Sequence, residues 1–142
     1  MVDDSRTNLY DYLYDVFYNV VTKNVYSISE PKELTEDDVK NGFIVIRIGN
    51  FNDESEFTRN AYGWARCYVD AYVPPISRGR LDYDKYREFE DGISAAIATA
   101  ISESDNTYGI QEDSLLSADI GETSNANNQF FIFIKSFIVN IN

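Results

Sequence analysis

Three kinds of side chain in this sequence could carry chemistry. Carboxylates gather at Asp3-Asp4, Glu36-Asp37-Asp38 and Asp53-Glu54. Paired carboxyls serve the acid–base hydrolysis of glycosides, and a cage of them holds a divalent cation. Cys67 is a potential thiolate nucleophile. Arg78 and Arg80, on either side of Gly79, could grip a phosphate. None of the three reaches a working pattern. The acidic clusters fall in predicted loops or at a terminus, without the spacing of a calcium loop, so solvation is their expected role. Cys67 sits on the apolar side of a predicted strand, where a free cysteine behaves as a small hydrophobe. The 77–80 segment reads as a solvated basic turn or as one side of an ion pair between subunits. The chain contains no His, which removes imidazole triads and His-ligated metals, and a single Cys cannot close an internal disulfide. The expectation is no enzyme, no cofactor and no metal.

The elements that position these groups form one domain over residues 1–142. Acidic residues outnumber basic ones by 24 to 12, giving a net charge of −12, which disfavours wrapping nucleic acid. The imbalance is uneven. Four basic residues face nine acidic ones before Phe43, five face four over 43–80, and three face eleven from Leu81 onward. Apolar residues make up 44%, enough for a packed interior, and the aromatic count is high at eleven Tyr, nine Phe and one Trp. Residues 1–6 lack a basic-then-apolar leader, and no apolar run approaches a span of about 20 residues. An intracellular protein without membrane contact is expected.

Residues 5–24 predict a first helix, with Leu9, Leu13, Val16, Phe17 and Val20 as its apolar stripe. Tyr10, Tyr14 and Tyr18 form a second stripe, which widens the core face or meets a neighbouring subunit. The 27–42 segment reads as an acidic loop, with room for one helical turn capped by Thr35. A strand follows over 43–48, then a loop over 49–60. The strand predicted over 61–73 alternates sharply: Gly63, Ala65, Cys67, Val69, Ala71 and Val73 on one side, Tyr62, Trp64, Arg66, Tyr68, Asp70 and Tyr72 on the other. Small residues on the first side invite a helix. The second side suits contact with a partner. Residues 82–103 predict a second helix capped by Asp82, with Phe89, Ile93, Ile97 and Ala100 on its stripe. A weaker extended stretch over 108–120, a Ser/Asn-rich turn over 121–128 and a last strand over 129–141 complete the chain. That last strand is apolar on both faces, with Phe130, Ile132, Ile134 and Ile138 opposite Phe131, Phe133, Phe137, Val139 and Ile141.

The expected fold class is α+β: an antiparallel sheet of about four strands, two helices packed on one face, and the two long strands extending as hairpin arms. The segments 65–74 (Ala-Arg-Cys-Tyr-Val-Asp-Ala-Tyr-Val-Pro), 83–101 and 130–141, in this order of elements, resemble the tail-completion and tail-terminator proteins of tailed bacteriophages. The Asn- and Tyr-rich composition is similar to that of proteins from phages of gut Bacteroidetes, including the crAss-like group. The resemblance implies a structural virion protein, made in the host cytoplasm. It implies a homo-oligomeric ring of six or twelve copies at the head–tail junction or tail. That ring would link portal and connector proteins to the tail, with DNA passing through it without specific binding. It carries no catalytic residues across. The acidic 27–42 segment and long 49–60 loop depart from the shorter members and leave symmetry and tier open.

Two physical arguments point the same way. Unmatched apolar faces on the 62–73 and 129–141 strands need neighbours, and an acidic conduit lets a duplex slide. The interface residues expected are Tyr62, Trp64, Tyr68 and Tyr72 as aromatic anchors, Arg66, Arg78 and Arg80 as charge partners, and Phe131, Phe133 and Phe137 as strand contacts. The alternative is an acidic binding module, an inhibitor or DNA mimic that occupies a basic site with steep salt dependence.

Overall fold

The computed structural model describes residues 5–29, 31–52, 63–77, 80–103, 108–112, 121–125 and 128–141. Along the chain these form α1 (Ser5–Phe17), β1 (Val25–Ser27), α2 (Glu36–Asn41), β2 (Phe43–Asn52), β3 (Gly63–Val73), α3 (Tyr83–Ser102), β4 (Tyr108–Glu112), β5 (Gly121–Asn125) and β6 (Asn128–Ile141). The fold is α+β, as the alternation of patterns predicts. The sheet is larger and less uniform than expected. It runs β1-β2-β3-β6-β4, and β5 shares the outer edge of β6 with β4. All described pairings are antiparallel except β1 with β2, which is parallel, Val25 facing Ile44.

Three departures have local causes. The first helix ends at Phe17 instead of running to residue 24. Asn19 takes a φ of 58°, a left-handed geometry that Asn tolerates, and the β-branched run Val20-Val21-Thr22 is a poor helix continuation. The chain then enters the sheet as β1, and a parallel neighbour requires a crossover. The 28–42 segment supplies that crossover and includes α2. Thr35 caps α2 in a reciprocal box: its hydroxyl accepts from the Asp38 amide at 3.1 Å, and Asp38 Oδ2 accepts from the Thr35 amide at 2.9 Å. In the second departure, residues 121–125 form a strand instead of a turn, paired with β6 from Gly121–Ile132 to Asn125–Asn128. In the third, the two long strands do not project as arms. β3 pairs along its whole described length with the 131–141 part of β6, from Gly63–Ile141 to Val73–Phe131.

The main core lies between the sheet and α1 with α3. Ala65, Cys67, Val69, Ala71 and Val73 of β3 are all inaccessible to solvent, as are Leu9 and Leu13 of α1 and Phe89 and Ile93 of α3. Small strand residues let α3 sit low, while Phe133 and Phe137 on the neighbouring strand fill the volume. A second, smaller core sits on the opposite face. There Phe43 and Tyr72 stack at 4.3 Å, Phe130 meets both edge-on, and Tyr26 and Leu34 close around them.

Candidate interaction surface

Beyond that small second core, the sheet face opposite the helices carries Trp64, Arg66 and Tyr68 from β3 beside Ile132, Ile134 and Ile138 from β6. Register brings them together: Arg66 faces Ile138, Asp70 faces Ile134 and Tyr72 faces Ile132. All six of the first-named side chains are half-buried. At its β2 margin, Arg47 makes a bidentate bond to Asp70, with Nε 2.5 Å and Nη2 2.8 Å from the two carboxylate oxygens. Its guanidinium carbon lies 4.6 Å from the centre of the Tyr68 ring. The bond to Asp70 holds the Arg47 guanidinium above its ordinary pKa, so Arg47 keeps its charge throughout the physiological range. The face is thus a strip of aliphatic and aromatic surface bordered by a fixed ion pair, the composition of a contact patch more than of dry core.

The expected interface residues separate into three groups. Trp64, Arg66 and Tyr68 lie together on this face. Tyr72 shares the face, but its ring is held between Phe43 and Phe130 in the second core. Phe133 and Phe137 belong to the main core, packed on Tyr86 and Phe17, so the single chain already uses them. Their role as outward strand contacts is corrected: the odd positions of β6 face the helices. Even Lys135 on that side turns towards α3, its ammonium 3.9 Å from Glu90. Phe131 and Arg80 lie elsewhere, lining a cavity of about 610 Å³ at the start of α3 with Ile76 and Tyr83. Tyr62 and Arg78 lie outside the described residues, as do Asp3-Asp4 and Asp53-Glu54.

The remaining acidic cluster is occupied by structure. Asp38 is fully buried and accepts the Tyr26 hydroxyl at 2.8 Å, which, with burial as the larger cause, pushes the phenol up to about 12. Asp37 accepts the Asn24 and Asn41 amides, each at 2.6 Å, and these bonds hold its carboxyl below the usual range. Burial pushes the Cys67 thiol up to about 12, so it is protonated at neutral pH and unreactive. Among the described residues, no group of three or more Cys, Asp or Glu converges as a metal cage, and no helix is long and apolar enough to cross a membrane.

One further surface is not announced by any pattern in the sequence. A groove of about 540 Å³ runs between α1 and α3, with Val16 and Val20 on one wall and Gly92 and Ala96 on the other. The small residues of Gly92-Ile93-Ser94-Ala95-Ala96 leave a trough on the outer side of the helix. The tyrosine stripe divides here as well. Tyr10 turns inward and its hydroxyl accepts from the Ile48 amide at 3.1 Å, while Tyr14 and Tyr18 stack at 5.3 Å and are exposed. No protein-family model matches the sequence, and no curated protein matches it either.

Proposed function

We propose that this chain is a structural subunit of a homo-oligomeric ring, of the head–tail connector or tail-completion type found in tailed bacteriophages. In that role it would join portal or connector proteins to the tail around the DNA conduit. One observation carries the reading: among the described residues no helix lies over the sheet face bearing Trp64, Arg66, Tyr68, Ile132, Ile134 and Ile138, whereas α1 and α3 pack on the other face. Half-buried aromatic and aliphatic side chains in one contiguous strip gain most when a neighbour excludes the remaining water. The net charge of −12 suits a wall past which a duplex slides without gripping.

Light scattering coupled to size exclusion, over a wide concentration range, tests this. A closed species of several copies is expected, persistent in high salt because the contact is largely apolar. A chain that stays monomeric at every concentration overturns the reading. A one-to-one complex with a basic protein that dissolves as salt rises would favour the acidic-module alternative. Trp64→Ala should weaken assembly by on the order of 2 kcal/mol while leaving the fold intact. Unchanged assembly in that variant would remove the open sheet face from the contact.

A further inference from the structure

We propose that the α1–α3 face of one copy of this chain covers the open sheet face of the next. The groove between the two helices meets the strip that carries Trp64 and Arg66. The inference rests on the assembly reading above and names the surface that closes the strip. The two faces differ in charge. Among the described residues, the strip and its β2 margin carry Arg47 and Arg66 against one carboxylate, Asp70, which Arg47 binds. The carboxylates of the 28–42 crossover stand at the other end of this face, around Tyr72. Arg66 lies six residues from there along β3, roughly 20 Å. The helical layer has the opposite balance: α1, α3 and the cap residue Glu103 hold seven carboxylates and three basic side chains. Lys135, which reaches Glu90 from β6, leaves that layer acidic. The charged residues lining the groove, Asp15 and Glu103, are both acidic and both exposed.

Of the ways two copies can bring these faces together, one pairs unlike charge. Strip on strip sets two net-positive surfaces against each other, and helical layer on helical layer sets two acidic ones. Strip on helical layer lays Arg66 against the rim formed by Asp15 and Glu103. The apolar surfaces match as well. Trp64, Ile132, Ile134 and Ile138 are half-buried on the strip, and Val16, Val20 and Ala96 wall the groove. Val20 is 37% exposed, and Tyr14 and Tyr18, at 37% and 44%, add ring surface on α1 and just past it. The contact repeats a layering that the chain uses internally, since helices over sheet is how its main core is closed. The strip and the helices lie on opposite sides of one sheet, so a copy cannot cover itself. Unlike surfaces that pair between copies make a head-to-tail contact, which closes into a ring or runs on as a filament.

The test is cross-linking across the contact in the full chain. Ser136 faces Tyr68 in the middle of the strip, Ala95 lines the groove and is exposed, and the native Cys67 is buried. Ser136→Cys with Ala95→Cys, treated with a short bis-maleimide, should give a ladder of dimers, trimers and higher species on a denaturing gel. Each single variant should stay monomeric on that gel. Dimer from Ser136→Cys alone would show strip against strip, dimer from Ala95→Cys alone would show groove against groove, and either overturns the proposal. In a second arm, Asp15→Lys with Glu103→Lys, both at exposed positions, should weaken assembly by about tenfold at low salt and by little at high salt. If the wild type assembles but the double cysteine variant gives no ladder, or the charge-reversed chain assembles normally at low salt, this contact is overturned and the ring reading survives. If the wild type is monomeric at every concentration, both fall together.

Discussion

Against the helices, β3 contributes Ala, Cys and Val while β6 contributes Phe133, Phe137 and Val139, and nearly all are inaccessible to solvent. Against the opposite side, the same two strands contribute Trp64, Arg66, Tyr68 and Asp70 beside three isoleucines, and most stay half-exposed. The first face is closed by elements of its own chain. Among the described residues the second is closed at one end, where Phe43, Tyr72 and Phe130 meet Tyr26 and Leu34. The difference separates two kinds of aromatic residue that look alike in a list: those that hold the fold and those free to hold something else.

The largest effect should come from breaking that distinction directly. Phe137→Ala removes a fully buried ring packed 5.8 Å from Phe17 and should cost about 4 kcal/mol in urea denaturation. Tyr68→Ala, in dilute chain, should cost about 1 kcal/mol or less, since the ring is half-buried and its chief partner is Arg47. Comparable losses in the two variants would mean that the opposite face is as much core as the first.

How much of this was legible in the sequence depends on which force fixed each element. The alternation in β3, the stripe of α3 and the caps at Thr35 and Asp82 are local, and each appears in the structure where its pattern predicts. The pattern of β6 is apolar on both sides, yet only the odd side, with Phe133, Phe137 and Val139, is buried along most of its length, and periodicity alone does not say which face the helices take. That depended on β3 pairing with β6 in the register that sets Cys67 opposite Phe137. β1 was invisible because three residues carry no period, and its parallel partner lies about twenty residues away. Of the candidate interface, Trp64, Arg66 and Tyr68 were recoverable from alternation. Tyr72 was not separable from them, since its stack with Phe43 is a cross-strand contact. The α1–α3 groove needed the packing of two distant helices before it could be seen.

A smaller effect sharpens the contrast through pH. The Cys67 thiol on the helix side is held near 12, against an ordinary value of 9.0, by burial. Below pH 9 both folded and unfolded chains keep the proton, and the full stability is present. As pH rises from 9 towards 12 the unfolded chain loses the proton first, so stability falls over that window. Between pH 7 and pH 10.5 the wild type should lose ~2 kcal/mol more than Cys67→Ala, read as the difference between their denaturation midpoints. The variant serves as the control because Tyr26 and Tyr86, also raised to about 12, contribute to both chains alike. An equal loss in both would mean that the helix-covered face admits water at Cys67, and the contrast between the faces would weaken.

The smallest effect lies at the margin where the two cores meet. Val25 belongs to the first and Tyr26 to the second, and the chain then turns at Ile28 towards Leu34. Ile28 has a φ of 81°, a conformation that crowds a β-branched side chain, and it is 66% exposed, so its side chain returns little packing. Its amide nonetheless donates to the Ile46 carbonyl at 2.8 Å, which fixes the turn that carries the chain over to the second face. Ile28→Gly keeps that bond and removes the steric cost, while adding freedom to the unfolded chain. The two nearly offset, and relief should win by about 0.5 kcal/mol. A higher denaturation midpoint with unchanged slope would show that the crossing between faces is held under strain by backbone bonding. A lower midpoint would show that the Ile28 side chain itself packs against the second core, and that this core reaches further along the crossover than Leu34.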